Sequence, residues 1–267
     1  MAILTHMVFG FNHRRRAKLR TQPVPGSWRS IVEQNVGIFR RLPTADQNAL
    51  LADMQVFLAE KHFEGAGGLD LTDEIRVTIA AQACLLLLHR DTDYYPNLTS
   101  IIVYPASYVA ERSDHVGGGI WVEGEQGRAG ETAQNLGALV LAWDDAKRGA
   151  RLPADGSNVI LHEFAHQLDF EDGLTDGTPA LASRAEYTAW ARVMSAEFQA
   201  LRDADDSGTP TVIDKYGATN NAEFFAVITE AFFERPRALR AKHPELYAEL
   251  QHFYEQDPSE YSNEGAQ

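Results

Sequence analysis

Residues 157–170, SNVILHEFAHQLDF, decide how this chain is read. His162, Glu163 and His166 spell H-E-x-x-H inside an apolar pattern of Val159, Ile160, Phe164, Ala165 and Leu168 that has helical spacing. Residues four apart on a helix lie one turn above each other, so both imidazoles leave the same face and can meet one ion at about 2.0–2.1 Å. Glu163 is turned about a third of a turn from His162, which sets its carboxylate beside the ion and not on it, where it can handle protons. Neutral imidazoles favour zinc over a hard ion such as magnesium. The three fixed residues alone would arise by chance in roughly one such sequence in fifty. Their setting gives them weight, because two imidazoles and a carboxylate on a buried helix are costly without partners or a metal.

A catalytic site of this kind needs a third protein ligand and an open coordination position. Asp172 stands where H-E-x-x-H-x-x-G-x-x-H/D would put a ligand, but Asp169 replaces the glycine that such a turn requires. A second source is YGATNNAEFFAVITEAFF, residues 216–233, in which Glu223 and Glu230 are seven apart and share one helix face. Glu223 also follows Asn220 by three residues, the position at which an acidic side chain caps a helix, so ligand and cap stand even on spacing alone. Phe224 and Phe225 turn its neighbourhood toward the core. Glu230 suits a carboxylate that orients an imidazole through its far N–H, and Asp169 could do the same.

Outward from these two segments, helical signals dominate. Thr44 with Gln47 reads as a capping box ahead of Leu50, Leu51, Met54, Phe57 and Leu58, and a Gly-rich break at 65–68 precedes a buried helix opened by Thr72, Asp73 and Glu74. That helix carries Cys84, the single cysteine, so no internal disulfide framework exists. Arg76, Thr78 and Gln82 interrupt its apolar run and exclude a membrane span. SIIVYP (100–105), GGIWVEG (118–124) and LGALVLAW (136–143) read as strands of a small sheet, with Asp144 and Asp145 opening a short helix. Ser183 with Glu186 caps a helix over 183–203 whose core stripe is Tyr187, Trp190, Ala191, Met194, Phe198 and Leu201. Further helices are expected over 221–234 and 244–255, then a loose polar tail. Helices, a short sheet, then helices predict an α+β fold: a basic N-terminal arm at 1–25, one domain at 26–258, and a tail at 259–267.

The chain has 24 Lys and Arg against 38 Asp and Glu, a formal charge of −14, which disfavours a nucleic-acid partner. The apolar stretch at the N-terminus precedes its basic cluster, Arg14 to Arg20, the reverse of a secretory signal, and the expectation is a cytoplasmic protein.

HEFAHQLD and YGATNNAEFFAVITEAFF, together with IIVYP at 101–105, LVLAW at 139–143 and PELYAELQHFYEQDP at 244–258, resemble the Mlc titration factor A family, a bacterial family of zincin peptidases. The likeness runs from about residue 27 to 258 and leaves the basic arm and the tail unmatched. It implies a zincin-like fold, mostly helical, with a small mixed sheet whose edge strand flanks the active-site helix, and a relation to the catalytic domain of anthrax lethal factor. It also implies one Zn2+ per chain held by His162, His166 and Glu223, with Glu163 as catalytic acid/base and Tyr216 as active-site tyrosine. The implied activity is aminopeptidase-type hydrolysis of a peptide or protein substrate, and the strand at 136–143 could offer its edge to an extended peptide. The implied partner is the Mlc transcriptional repressor, and a repressor-sequestering protein with dormant peptidase activity is the alternative reading.

Overall fold

The computed structural model describes residues 12–91, 93–106, 137–151 and 156–261. Three short strands, β1 (His62–Gly65), β2 (Ser100–Tyr104) and β3 (Ala138–Ala142), pair in that order. Ile101 lies opposite Leu139 and Val103 opposite Leu141, so the buried side chains of β2 and β3 fall on one face of the sheet. The sheet was expected to be mixed, yet among the described residues both pairings are parallel. A parallel pair needs a long crossover, and β1 and β2 have one in α4 (Asp73–Leu85). The strand expected in GGIWVEG lies outside the described residues. β1 was not foreseen; HFEG has too little apolar alternation to announce a strand, and backbone pairing with β2 defines it.

Helix α1 spans residues 12–20, followed by α2 (Gly26–Asn35) and α3 (Thr44–Glu60). Past the sheet come α5 (Trp143–Arg151), α6 (Val159–Asp169), α7 (Arg184–Asp206), α8 (Asn221–Glu234), α9 (Pro236–Lys242) and α10 (Pro244–Tyr254). The α+β class is therefore as expected. α6 lies on α8 and also touches α4 and α5, so H-E-x-x-H stands at the centre of the helical layer. Its rear face, Ile160, Leu161, Phe164, Ala165 and Leu168, is fully enclosed, with Phe164 against Tyr95 at 4.9 Å between ring centroids and Phe57 at 5.8 Å. Five such side chains, each contributing about 1.5–3 kcal/mol where the side chain is large, anchor the helix that must present polar groups on its other face.

Several local expectations change. Thr44 does not cap α3: Pro43 holds that position, and Gln47 reaches back to the Leu42 carbonyl at 3.1 Å. Ser183 does cap α7, accepting from Glu186 N–H at 3.3 Å while its hydroxyl donates to the Glu186 carboxylate at 2.9 Å. The buried face of α7 is Trp190, Val193, Met194 and Leu201; Tyr187 and Ala191 lie exposed. The tail was expected to be loose, but Ser259 and Tyr261 are buried, the Tyr261 hydroxyl donating to Gln256 at 2.8 Å. In the basic arm, α1 is fastened to the body. Arg16 makes a two-pronged bond to Glu60, at 2.9 and 3.0 Å, and also meets Asp93, while Arg20 pairs with Asp53 and donates to the Tyr94 hydroxyl at 2.9 Å. Cys84 is buried, and no helix among the described residues is long and apolar enough to cross a membrane.

Candidate metal centre

Asn158 starts α6. Its side-chain oxygen accepts from Leu161 N–H at 3.2 Å, and its amide donates to Gln82 at 2.6 Å and to Glu234 at 3.1 Å. This buried cap fixes where the first turn begins, and hence which face carries His162 and His166. α8 begins in the same way at Asn220, whose side chain accepts from Glu223 N–H at 2.9 Å. Its Phe224, Phe225, Ile228, Phe232 and Phe233 are buried, which holds the polar residues Glu223 and Glu230 against α6.

The three residues that spacing could only nominate come together. His162 Nε2 lies 3.0 Å from Glu223 Oε2 and 3.2 Å from His166 Nε2, and His166 Nε2 lies 3.5 Å from Glu223 Oε2. Ligand atoms about 2.0–2.1 Å from an ion in tetrahedral array are about 3.3 Å from one another. The observed triangle matches that edge length, so the donor set fits a divalent ion with one face left open. Among the described residues this is the one group of such side chains able to hold a metal. Glu223 meets both demands of its position, with separate groups. Its backbone N–H takes the cap from Asn220, and its carboxylate turns to the imidazoles. Asp172 is not brought in; it accepts from Leu174 N–H at 3.0 Å in the turn after α6.

Glu230 binds His162 from behind: Oε1 meets Nδ1 at 2.8 Å, and Oε2 accepts from Asn158 N–H. That contact fixes the ring so that Nε2 faces inward. Burial alone would lower the His162 pKa, but the hydrogen bonds its ring donates to Glu223 and Glu230 outweigh it and hold the ring protonated well above its ordinary range. Burial would raise the Glu223 carboxyl, and the two imidazoles instead pull it well below the usual carboxylate range. The His162 proton is thus held between two carboxylates, and a cation on Nε2 would have to displace it.

Tyr216 sits on a short turn, Lys215–Ala218, whose start is fixed by Asp214 accepting from Tyr216 N–H at 2.8 Å. Gly217 presses this turn between α7 and α8; a Cβ there would stand 3.2 Å from Leu201 and 3.3 Å from Val227. The phenol ring lies 6.0 Å from the His162 ring and is 42% exposed, so it borders the open side of the triangle. Partial burial, then the charges of Glu223 and Glu163, push its pKa up to about 12, so at neutral pH it remains a donor. Glu163 is partly exposed, and its charge acts on both the His162 and Tyr216 rings. Asp169, fully buried at the end of α6, accepts from Gly177 N–H at 2.9 Å, and burial lifts its pKa to about 6.

The sequence resembles known proteins along nearly its whole length. An uncharacterized Synechocystis protein is 39% identical over 254 residues, covering 94% of this chain and 92% of its own. Proteins named Mlc titration factor A from Klebsiella pneumoniae strain 342 and from Escherichia fergusonii are each 30% identical over 226 residues, covering 84% of both chains. The family model described as glucose-regulated metallo-peptidase M90 matches residues 11–255. A metallopeptidase family implies a metal, and His162, His166 and Glu223 are the described residues able to hold it. The chain therefore belongs to the glucose-regulated metallo-peptidase M90 family, with the Mlc titration factor A proteins among its relatives.

Proposed function

We propose that this protein is a zinc-dependent peptidase of aminopeptidase type, acting in the cytoplasm on a peptide or protein substrate. The observation that carries the reading is the triangle of His162 Nε2, His166 Nε2 and Glu223 Oε2, open on the side that Tyr216 borders. Two nitrogens and one carboxylate oxygen suit zinc, which holds such ligands with a fourth position free for chemistry. When bound, the ion supplies Lewis acidity that activates water and polarises the scissile carbonyl. Glu163 takes the proton from the attacking water and returns it to the leaving amine. Tyr216 donates a hydrogen bond to the oxygen on which negative charge develops. Glu230 keeps the His162 ring oriented throughout by its bond to Nδ1.

The name carried by the curated relatives favours a second reading, compatible with the first: capture of an Mlc-type transcriptional repressor. Glu163→Gln separates the two. The expected result is a drop of about 10²–10⁴ in kcat/KM on a chromogenic peptide, with zinc content and repressor binding unchanged. Unchanged hydrolysis would refute Glu163 as the proton carrier. A purified protein with no stoichiometric metal and no chelator-sensitive hydrolysis would leave only the binding role.

A further inference from the structure

Two buried polar atoms near the triangle lack a hydrogen-bond partner among the described residues: Nδ1 of His166 and Oδ1 of Asp169. They are three residues apart on α6, the spacing at which side chains share a helix face. Leaving a buried donor or acceptor unpartnered is unfavourable, so two of them one turn apart on the same helix face stand out. The two imidazoles are treated unequally. His162 has Glu230 on its Nδ1 at 2.8 Å, whereas no such group stands on His166 Nδ1.

The other half of the Asp169 carboxylate is fixed. Oδ2 accepts from Gly177 N–H at 2.9 Å, and the Gly177 carbonyl accepts from Trp190 Nε1 at 3.2 Å. Gly177 has φ +80°, and a Cβ on it would stand 2.3 Å from the Asn221 carbonyl oxygen, in the first turn of α8. Gly177 therefore touches the end of the helix that carries Glu223, while Asp169 belongs to the helix that carries His166.

We infer that Asp169 is a positioning residue for the metal centre: its Oδ1 receives the His166 Nδ1–H when an ion occupies Nε2, and its Oδ2, through Gly177, ties that ring to the start of α8. An ion on Nε2 requires the ring proton on Nδ1, and an acceptor that takes that proton fixes tautomer and ring angle together. The inference rests on the zinc reading above. It extends that reading by explaining how the second imidazole is held without a counterpart of Glu230.

The test is zinc affinity of the full-length protein, measured by competition with a chromogenic chelator, for Asp169→Ala, Asp169→Asn and His166→Ala. Asp169→Ala is expected to weaken zinc binding 10–100-fold, with the slowly exchanging His166 Nδ1–H proton of the zinc-loaded wild type lost from the NMR spectrum. Asp169→Asn, which keeps one carbonyl acceptor and nearly the same volume, is expected to recover part of the affinity and to fold even if the alanine variant does not. Affinity of Asp169→Asn and Asp169→Ala within twofold of wild type, or an Nδ1–H signal unmoved by the substitutions, would overturn the assignment. His166→Ala separates the layers: if it abolishes zinc binding while the Asp169 variants leave it intact, the inference alone fails. If His166→Ala itself leaves zinc affinity unchanged, the metal centre fails.

Discussion

Two regions of this molecule crowd charge into little space, and they are built on opposite plans. Around α1, Arg16 faces Glu60 and Asp93, and Arg20 faces Asp53, with the Tyr94 hydroxyl bonded to both Arg20 and Asp53. Each of these cations has its carboxylate, and the set is closed. Between α6 and α8, Glu223 and Glu230 converge on two imidazoles, with the buried Asp169 one turn along α6, and the positive charge among them is a proton that His162 holds between Glu223 and Glu230. Two buried atoms there are left unpartnered among the described residues. A closed set of charges fastens one element to another. An open set, rich in acceptors and anchored on a rigid buried scaffold, is what a cation site looks like before the cation is counted.

The comparison breaks if the open region behaves like the closed one on mutation. Tyr216→Phe removes one hydroxyl at the border of the triangle and leaves His162, His166 and Glu223 alone. The expected loss is about 10²–10³ in kcat, near 3–4 kcal/mol of transition-state stabilisation, with KM and zinc content little changed. Steady-state kinetics on a peptide substrate, with metal quantified in the same preparation, decides it. A variant as active as wild type would make Tyr216 a wall of the site and nothing more.

The pH dependence of metal binding sharpens the contrast next. Burial pulls His162 down but Glu223 and Glu230 raise it further, so its pKa in the metal-free fold lies well above the ordinary value near 6.5. For a raised group the stabilisation is full below the unfolded pKa and is lost as pH rises through the folded one. An ion needs the neutral ring, so metal competes with that proton. Apparent zinc affinity should fall about tenfold per pH unit below the folded pKa, with about one proton released on binding near neutrality. Calorimetry in buffers of different ionisation enthalpy reads the release directly. Binding with no proton exchange would mean that His162 is already neutral and that Glu223 and Glu230 do not hold its proton.

What could be read in advance follows the same division. The span of α8 was legible at both ends, because Asn220 and the run of buried phenylalanines leave few alternatives, and the span of α6 followed from its apolar spacing. That His162 and His166 share a face followed from helical geometry. That Glu223 meets them did not, since its position is equally that of an ordinary cap, and only the packing of α8 on α6 separates the two. β1 and the docking of α1 were missed for one reason: HFEG and the basic stretch 14–20 gain their structure from partners distant in the chain, such as Ser100 for His62 and Glu60 for Arg16. The seven-residue α9 buries only Pro236 and Leu239 and carries too short an apolar pattern to announce a helix. The unmatched pair at His166 and Asp169 was legible only as a possibility, because burial without a partner is a property of the fold.

The smallest expected effect falls on the closed region. Arg16→Ala leaves Glu60, whose side chain is 16% exposed, without its two-pronged partner, and should cost about 1 kcal/mol of stability. In a chain of this size that corresponds to a fall in Tm of about 2–4 °C. Zinc affinity should stay within twofold of wild type. The second expectation is a real test, because the regions are joined. The loop that carries Asp93 and Tyr94 continues into Tyr95, packed on Phe164 of α6, and into Asn97, whose amide donates to the Phe170 carbonyl at 2.9 Å just beyond that helix. If loosening α1 cost metal affinity as well as stability, that loop would be a mechanical link between the two charge clusters, and the distinction drawn between them would no longer hold. If stability alone moves, Tyr95 and Asn97 hold α6 in register whatever happens at α1, and the open cluster stands on its own scaffold.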